Sequence, residues 1–244
     1  MCGRYATSRT PSDLARDFEA RLSDAAASLE ADYNVAPTAT APLVIGRTGE
    51  TAPAGAPPGR ELVAATWGLV PSWAKDRSIG NRMINARSET VAEKPAFRAA
   101  FATRRAVVPA DGYYEWYAGR EDDSTSAKRP KQPFFITDPD RSGLALAGLY
   151  EFWRAAPDAE WLLTFTVLTT SAEDAEGRLH DRAPLLVPAA AVDEWLAPRP
   201  LDGAHWRDLL VPATPGRLVA YPVDRAVGNV RNNGPHLVEP VAAS

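Results

Sequence analysis

The sequence contains one cysteine and three histidines in 244 residues. A single thiol, Cys2, cannot close an internal disulfide and cannot by itself form a thiolate metal site. His180, His205 and His236 are scattered without ligand spacing, so no metal is expected. Long apolar runs are also missing. No stretch approaches the roughly 18 apolar residues a membrane span needs, and the opening segment MCGRYATSRT has no hydrophobic core of a secretion signal. A cytoplasmic protein with no membrane partner is therefore expected. No heptad or exposed apolar stripe demands an oligomer. Lysine is scarce, with 4 against 23 arginines, a bias that GC-rich coding alone explains, so the arginine count carries little weight.

What is present is the composition of an ordinary globular chain, 45% hydrophobic, 9% aromatic and 24% charged. The length suits one large domain or two small ones. No linker divides the apolar runs into two groups, so a single domain over 1–244 is expected. The net charge of -4 argues against indiscriminate coating of nucleic acid, but its distribution is uneven. From Lys75 to Arg105, eight basic residues (Lys75, Arg77, Arg82, Arg87, Lys94, Arg98, Arg104, Arg105) face three acids, which leaves the rest of the chain strongly acidic. That pattern suits an anion-binding groove, and equally an arginine-rich solvated helix.

Thr10-Pro11-Ser12-Asp13 reads as an N-cap, a proline at the first helical position and an acidic first turn, leading into a short helix with Leu14 and Phe18 inward. Surface loops are expected at 46–60 and 119–133, which are rich in glycine, proline and polar residues. Strands are expected at 62–67, 106–109, 134–137, 144–150 and 161–170, and helices at 88–100 with a break near Pro95, at 171–179 and at 189–197. Many strands, few helices and no regular alternation of the two predict an α+β domain: a strongly bent mixed or antiparallel β-sheet or barrel with peripheral helices.

The position of the cysteine matters more than its presence. Met1 precedes a small residue, the context in which an initiator methionine is removed, so Cys2 is expected to lead the mature chain. A terminal cysteine carries a thiol with reference pKa about 8.5 and an α-amine at about 7.7 to 8.0 on adjacent carbons. The amine can form a Schiff base with an aldehyde, and the thiol can then close a thiazolidine ring. The same residue would serve acyl transfer in an N-terminal nucleophile hydrolase, and a retained Met1 would leave Cys2 a small buried hydrophobe. Asn85 and Arg87 lie in Asn85-Ala86-Arg87-Ser88-Glu89, before a helix that Ser88 could cap. Glu115, flanked by aromatics in Gly112-Tyr113-Tyr114-Glu115-Trp116, is either a desolvated acid/base group or a solvent-facing strand residue. His180 stands in Leu179-His180-Asp181-Arg182-Ala183-Pro184, a place for a catalytic loop residue. Trp67, Trp73 and Trp116 could stack on bases beside the basic stretch, although Trp67 and Trp73 taken singly suit a core better.

Together these segments resemble the SRAP family, the SOS response-associated peptidase or abasic-site processing proteins. The matching pieces are Cys2-Gly3-Arg4-Tyr5, Tyr33-Asn34-Val35-Ala36-Pro37-Thr38, Trp67-Gly68-Leu69-Val70-Pro71, Asn85-Ala86-Arg87-Ser88-Glu89, Gly112-Tyr113-Tyr114-Glu115-Trp116 and His180-Asp181-Arg182-Ala183-Pro184. They run in the family's order, with a weaker match around 227–232. Ala183 departs from the family's more usual methionine, a packing change that spares the polar residues. The resemblance implies a protein without cofactor that binds single-stranded DNA at an abasic site and joins it covalently through Cys2, nucleoid-associated while bound to damage. It implies Glu115 as proton shuttle, His180 in sugar-ring opening and reversal, and Asn85 as hydrogen-bonding anchor. It implies Arg4, Arg82, Arg87 and Arg182 on phosphates, with Trp67 and Trp116 against bases or sugar. Two other readings stand beside it: a cysteine peptidase or amidohydrolase using Cys2, His180 and Asn85, and a single-strand binder that forms no adduct. Strand cleavage through the Schiff base would be a lyase side reaction.

Overall fold

The structure is a computed structural model that describes residues 2–47, 59–117, 131–171, 182–201, 203, 205–213 and 217–242. Its larger sheet is built from β2 (Ala20–Leu22), β4 (Thr40–Arg47), β5 (Gly59–Trp67), β6 (Asn85–Arg87), β7 (Arg105–Ala110), β10 (Leu144–Trp153), β11 (Leu162–Thr170), β12 (Ala183–Leu186) and β13 (Val211–Pro212). The smaller sheet has the order β14-β9-β8-β1-β3, with β1 Tyr5–Thr7, β3 Asp32–Val35, β8 Gly112–Tyr117, β9 Gln132–Thr137 and β14 Val219–Pro222. The pairs β10–β7, β7–β4, β4–β5, β5–β11 and β11–β10 close on themselves, so five strands of the larger sheet form a barrel. The β5–β11, β6–β11 and β2–β5 pairs are parallel and the rest antiparallel, so the sheet is mixed.

Alternation of side chains along each strand sorts the core into layers. Ala41, Leu43 and Ile45 of β4, Ala106, Val108 and Ala110 of β7, and Phe165 and Val167 of β11 point into the barrel. Val44, Val107 and Leu168 point outward, where α1 (Pro11–Asp17), α2 (Asp24–Ala27), α3 (Arg98–Thr103) and α4 (Val192–Leu196) cover the outer faces. The smaller sheet turns Tyr5, Val35, Tyr113 and Ile136 onto the barrel interior. Its opposite face, with Ala6, Tyr114 and Phe135, is covered by the segment from Val223 to Leu237. The strands are apolar on both faces because both faces are covered.

The five expected strands are present with small shifts of their ends. Helix α1 starts as expected, with the Thr10 side chain accepting from the Asp13 N–H and Pro11 at its first position. Two expected helices are corrected. Over 88–100 the chain forms turns, and the helix runs Arg98–Thr103 instead. Pro95 bars its own N–H from the ladder and disfavours helix in the residue before it, so helix can propagate only after it. Over 189–197 a 3₁₀ turn, Ala189–Ala191, precedes a short α4 that ends where Ala197, before Pro198, turns extended. The expected helix 171–179 lies outside the described residues apart from Ser171. The loops expected at 46–60 and 119–133 also lie largely outside them, and their ends belong to β4, β5 and β9. Among the described residues, no helix is long and apolar enough to cross a membrane.

One local constraint positions the site. Gly68 has φ +128°, and a Cβ there would stand 2.6 Å from the Gly80 carbonyl oxygen, while one on Gly80 would stand 2.5 Å from that of Gly68. Two glycines therefore let the 69–84 excursion cross directly beneath the end of β5 and return as β6.

Two of the eight basic residues of the positive stretch are engaged within the protein, Arg104 half-buried and Arg105 buried. Arg104 pairs with Glu151 at 2.7 Å. Arg105 is buried and donates to the carbonyls of Phe101, Ala102, Trp195, Ala197 and Arg199, tying the ends of α3 and α4 to the barrel. Burial lowers its pKa to about 10, still charged at neutral pH. Removing it strands several buried carbonyls, so Arg105→Leu is expected to cost about 3–5 kcal/mol in urea denaturation. A loss below about 1 kcal/mol would contradict the arrangement.

Candidate active site

The site sits where the smaller sheet meets the open end of the barrel. Cys2, at 0% exposure, precedes β1 and belongs to the cluster that fills the barrel. Asn85, at the start of β6, donates from Nδ2 to the Cys2 carbonyl at 2.7 Å. Its Oδ1 is buried and has no hydrogen-bond partner among the described residues, so the same amide keeps an acceptor for a guest. Asn85 reaches this place because β6 pairs in parallel with β11, Asn85 opposite Val167, an inward position. Ser88 does not cap a helix; its N–H continues the ladder to the Thr169 carbonyl at 2.9 Å.

Glu115 comes from the central strand of the smaller sheet and is 5% exposed, which settles its orientation inward, on the face of Tyr113. Tyr5 pairs with Tyr113 and the Tyr114 N–H donates to the Arg4 carbonyl, so continuing that register sets Glu115 across from Gly3, next to Cys2. Burial pushes the Cys2 thiol up to about 12, the neighbouring Glu115 charge adds to this, and a backbone hydrogen bond at Arg4 opposes it. At neutral pH the thiol is therefore protonated at rest. An α-amine on the same residue, once free, would be the first nucleophile available.

Tyr33-Asn34-Val35 secures the entry of the chain into this site. Asn34 is 3% exposed and donates to the carbonyls of Val227 (3.2 Å), Asn229 (3.0 Å) and Asn232 (2.9 Å). Its Oδ1 accepts from Arg4 Nη1, which also donates to the Val227 carbonyl. Residues 227–232 are thus bound to β3 and, through Arg4, to the segment that leads from Cys2 into β1. Asn34 belongs to a motif of the family resemblance, and nothing in the sequence marks its four polar partners.

Several expected contacts are corrected. Trp67 is 0% exposed, stacked with Phe165, edge-on to Tyr5 and bonded through Nε1 to the Ile84 carbonyl, so it packs in the core that holds Cys2. Its neighbour in the motif, Trp73, is 59% exposed. Arg182 is buried; its Nη2 donates to Glu89 Oε2 (2.8 Å) and the Thr169 carbonyl (2.7 Å), and its Nε to Thr169 Oγ1 (3.1 Å). These bonds fix it to β11 and leave it little to offer a phosphate. Arg4 is half-committed in the same way and lies over the Trp116 ring, 5.7 Å from its centroid. Arg82 and Arg87 are exposed, as are Lys75, Arg77, Lys94 and Arg98, while Trp116 is half-buried. His180 and Asp181 lie outside the described residues. No group of three metal-ligating side chains occurs among the described residues.

A buried cysteine whose carbonyl is held by an asparagine, with a carboxylate charge acting on its thiol, makes a candidate nucleophile site on a mixed barrel. The sequence profile of the family described as SOS response associated peptidase (SRAP) matches residues 1–230. The chain belongs to that family. It is 34% identical over 239 residues to the abasic site processing protein YoqW of Bacillus subtilis, covering 98% of this chain and 99% of the relative. It is 32% identical to the abasic site processing protein YedK of Escherichia coli, covering 99% and 100%. Among solved structures, a Bacteroides thetaiotaomicron protein shares the fold with TM-score 0.79 and 24% identity over 98% of this chain and all of that one.

Burial alone would raise the Glu89 carboxyl, but the Arg182 hydrogen bond, two backbone N–H bonds and the Arg182 charge outweigh it and bring it to about 2, from an ordinary 4.5. A carboxyl lowered on folding contributes stability above its unfolded value and loses it as pH falls through the folded one. Glu89→Gln is expected to flatten the stability profile between pH 4.5 and about 2. An unchanged acid limb in thermal melts would contradict the ion pair.

Proposed function

We propose that this protein recognises an abasic site in single-stranded DNA and becomes covalently attached to it through Cys2, shielding the lesion. The observation that carries this reading is the hydrogen bond from Asn85 to the Cys2 carbonyl beside the inward carboxylate of Glu115. The names of the curated relatives support it: YoqW, YedK and, in Xenopus tropicalis, HMCES, 28% identical over 96% of this chain, are all abasic site processing proteins.

The chemistry follows from the groups present. Removal of Met1 frees the Cys2 amine. The ring-opened abasic sugar is an aldehyde, and the amine adds to its carbon to give a carbinolamine, which loses water to an imine with Glu115 supplying and taking the proton. The thiol then adds across the imine: sulfur bonds to carbon, and the thiol proton passes to nitrogen. The product is a thiazolidine, protein plus DNA minus one water. Asn85 fixes the backbone from which both nucleophiles project, and because both belong to Cys2 the second attack is intramolecular. His180 assists opening of the sugar ring and reversal of the link.

Arg82 and Arg87, exposed beside β6, contact phosphates, joined by Lys75, Arg77, Lys94 and Arg98. Trp73 and Trp116 supply the stacking surface. A grip without base readout suits a lesion that has no base. Elimination from the imine gives strand cleavage as a side reaction. A peptidase reading is not favoured, because the named relatives are abasic site processing proteins.

Cys2→Ala is expected to abolish the heat-stable band on a denaturing gel with an abasic oligonucleotide while leaving reversible affinity within about twofold. Asn85→Ala should slow the adduct roughly tenfold, the worth of one hydrogen bond. Trp73→Ala should weaken reversible binding without changing the rate at saturation. A heat-stable adduct persisting in Cys2→Ala would refute the assignment.

A further inference from the structure

The ring of Tyr5 is explained by packing: it lies edge-on to Trp67 with centroids 5.2 Å apart, inside the cluster that holds Cys2. Its hydroxyl is not. Tyr5 is 0% exposed, and the buried oxygen has no hydrogen-bond partner among the described residues. A buried phenol without a partner costs about 1–3 kcal/mol, and phenylalanine would fill the same space without that cost. The hydroxyl is therefore held ready for a group that arrives or changes during the reaction.

The surroundings limit which group this is. On β1 the Tyr5 side chain faces the barrel, opposite Tyr113, and the neighbouring inward position along β8 is Glu115. Asp32 acts on the phenol from β3, and of the charges around it that of a Cys2 thiolate acts most strongly. Burial first, then these charges, hold the phenol well above its ordinary pKa, so it remains a neutral donor. The resting thiol needs no donor. The sulfur that attacks an imine does, because it develops negative charge in a site where burial and Glu115 both oppose that charge.

We propose that the Tyr5 hydroxyl is the hydrogen-bond donor to the Cys2 sulfur in the ring-closing step, so that it governs the partition between open imine and closed thiazolidine. The proposal rests on the covalent reading of Cys2 given above. The sulfur gives its proton toward the imine nitrogen as the carbon–sulfur bond forms, while Tyr5 keeps its own proton and only shares it. Tyr5 acts on the second step alone; the amine's attack on the aldehyde involves no sulfur.

The test is Tyr5→Phe with an abasic single-stranded oligonucleotide, followed by borohydride quenching over time. Borohydride captures the imine and leaves the thiazolidine unchanged. The variant should melt at or above the wild-type temperature and form imine at the wild-type rate. Ring closure should slow roughly tenfold, so the borohydride-captured fraction and strand cleavage by elimination both rise. In a Cys2→Ser background, which keeps the amine and lacks the thiol, Tyr5→Phe should change nothing. Closure at the wild-type rate, an equal effect in the Cys2→Ser background, or a marked fall in melting temperature would each overturn the proposal. If wild-type protein with a verified amino-terminal Cys2 forms neither imine nor thiazolidine, the covalent reading itself fails, and Tyr5 loses its role with it.

Discussion

The hydrogen bond between Asn85 Nδ2 and the Cys2 carbonyl is the contact on which the site depends, because it joins two parts of the chain that no sheet ladder connects. Cys2 stands at the entry to β1 of the smaller sheet, and Asn85 begins a three-residue strand on the rim of the barrel. Each is fixed separately: β1 between β3 and β8, and β6 along β11. Their meeting joins the two sheets at the residue proposed to react.

That meeting has a cost in backbone geometry that glycine alone relieves. The chain leaves β5 at Trp67, crosses itself at Gly68 and Gly80, and returns as β6 with Asn85 inward. Trp67 lies in the barrel core with Cys2 and is bonded to the Ile84 carbonyl next to Asn85. Behind the rim, Arg182 and Glu89 hold the start of β12 to the end of β11 and to the segment after β6. Arginines that look like ligands in sequence thus divide into two groups: Arg105 and Arg182 bind carbonyls and carboxylates inside the protein, while Arg82 and Arg87 face solvent.

Much of this was legible in the sequence, and the gaps have physical causes. The apolar strands could be read because both faces are covered, which leaves uninterrupted hydrophobic runs. Strand β4 escaped notice because Pro42 interrupts its pattern, although it pairs with Ala64 in an unbroken register. β6 was hidden because Asn85-Ala86-Arg87 has no strand propensity; its pairing with β11 decides its form. Cys2, Asn85 and Glu115 stood out because polar or nucleophilic groups in apolar surroundings require a reason, and they do converge. Trp67 reads as core when taken singly and as a stacking surface through the family resemblance, and burial puts Trp67 in the core while Trp73 is exposed. Asn34 and the Tyr5 hydroxyl could not be singled out, since their meaning lies in what surrounds them across the chain.

The account stands on one chemical claim, that both nucleophiles of Cys2 end on the same carbon of the lesion. Intact mass spectrometry of the adduct with an abasic single strand, with and without borohydride, tests it most directly. The expected mass is the Met1-less protein plus DNA minus one water, unchanged by borohydride because a thiazolidine has no imine to reduce. An adduct that gains two hydrogens on reduction, or one that maps to a residue other than Cys2, would contradict it.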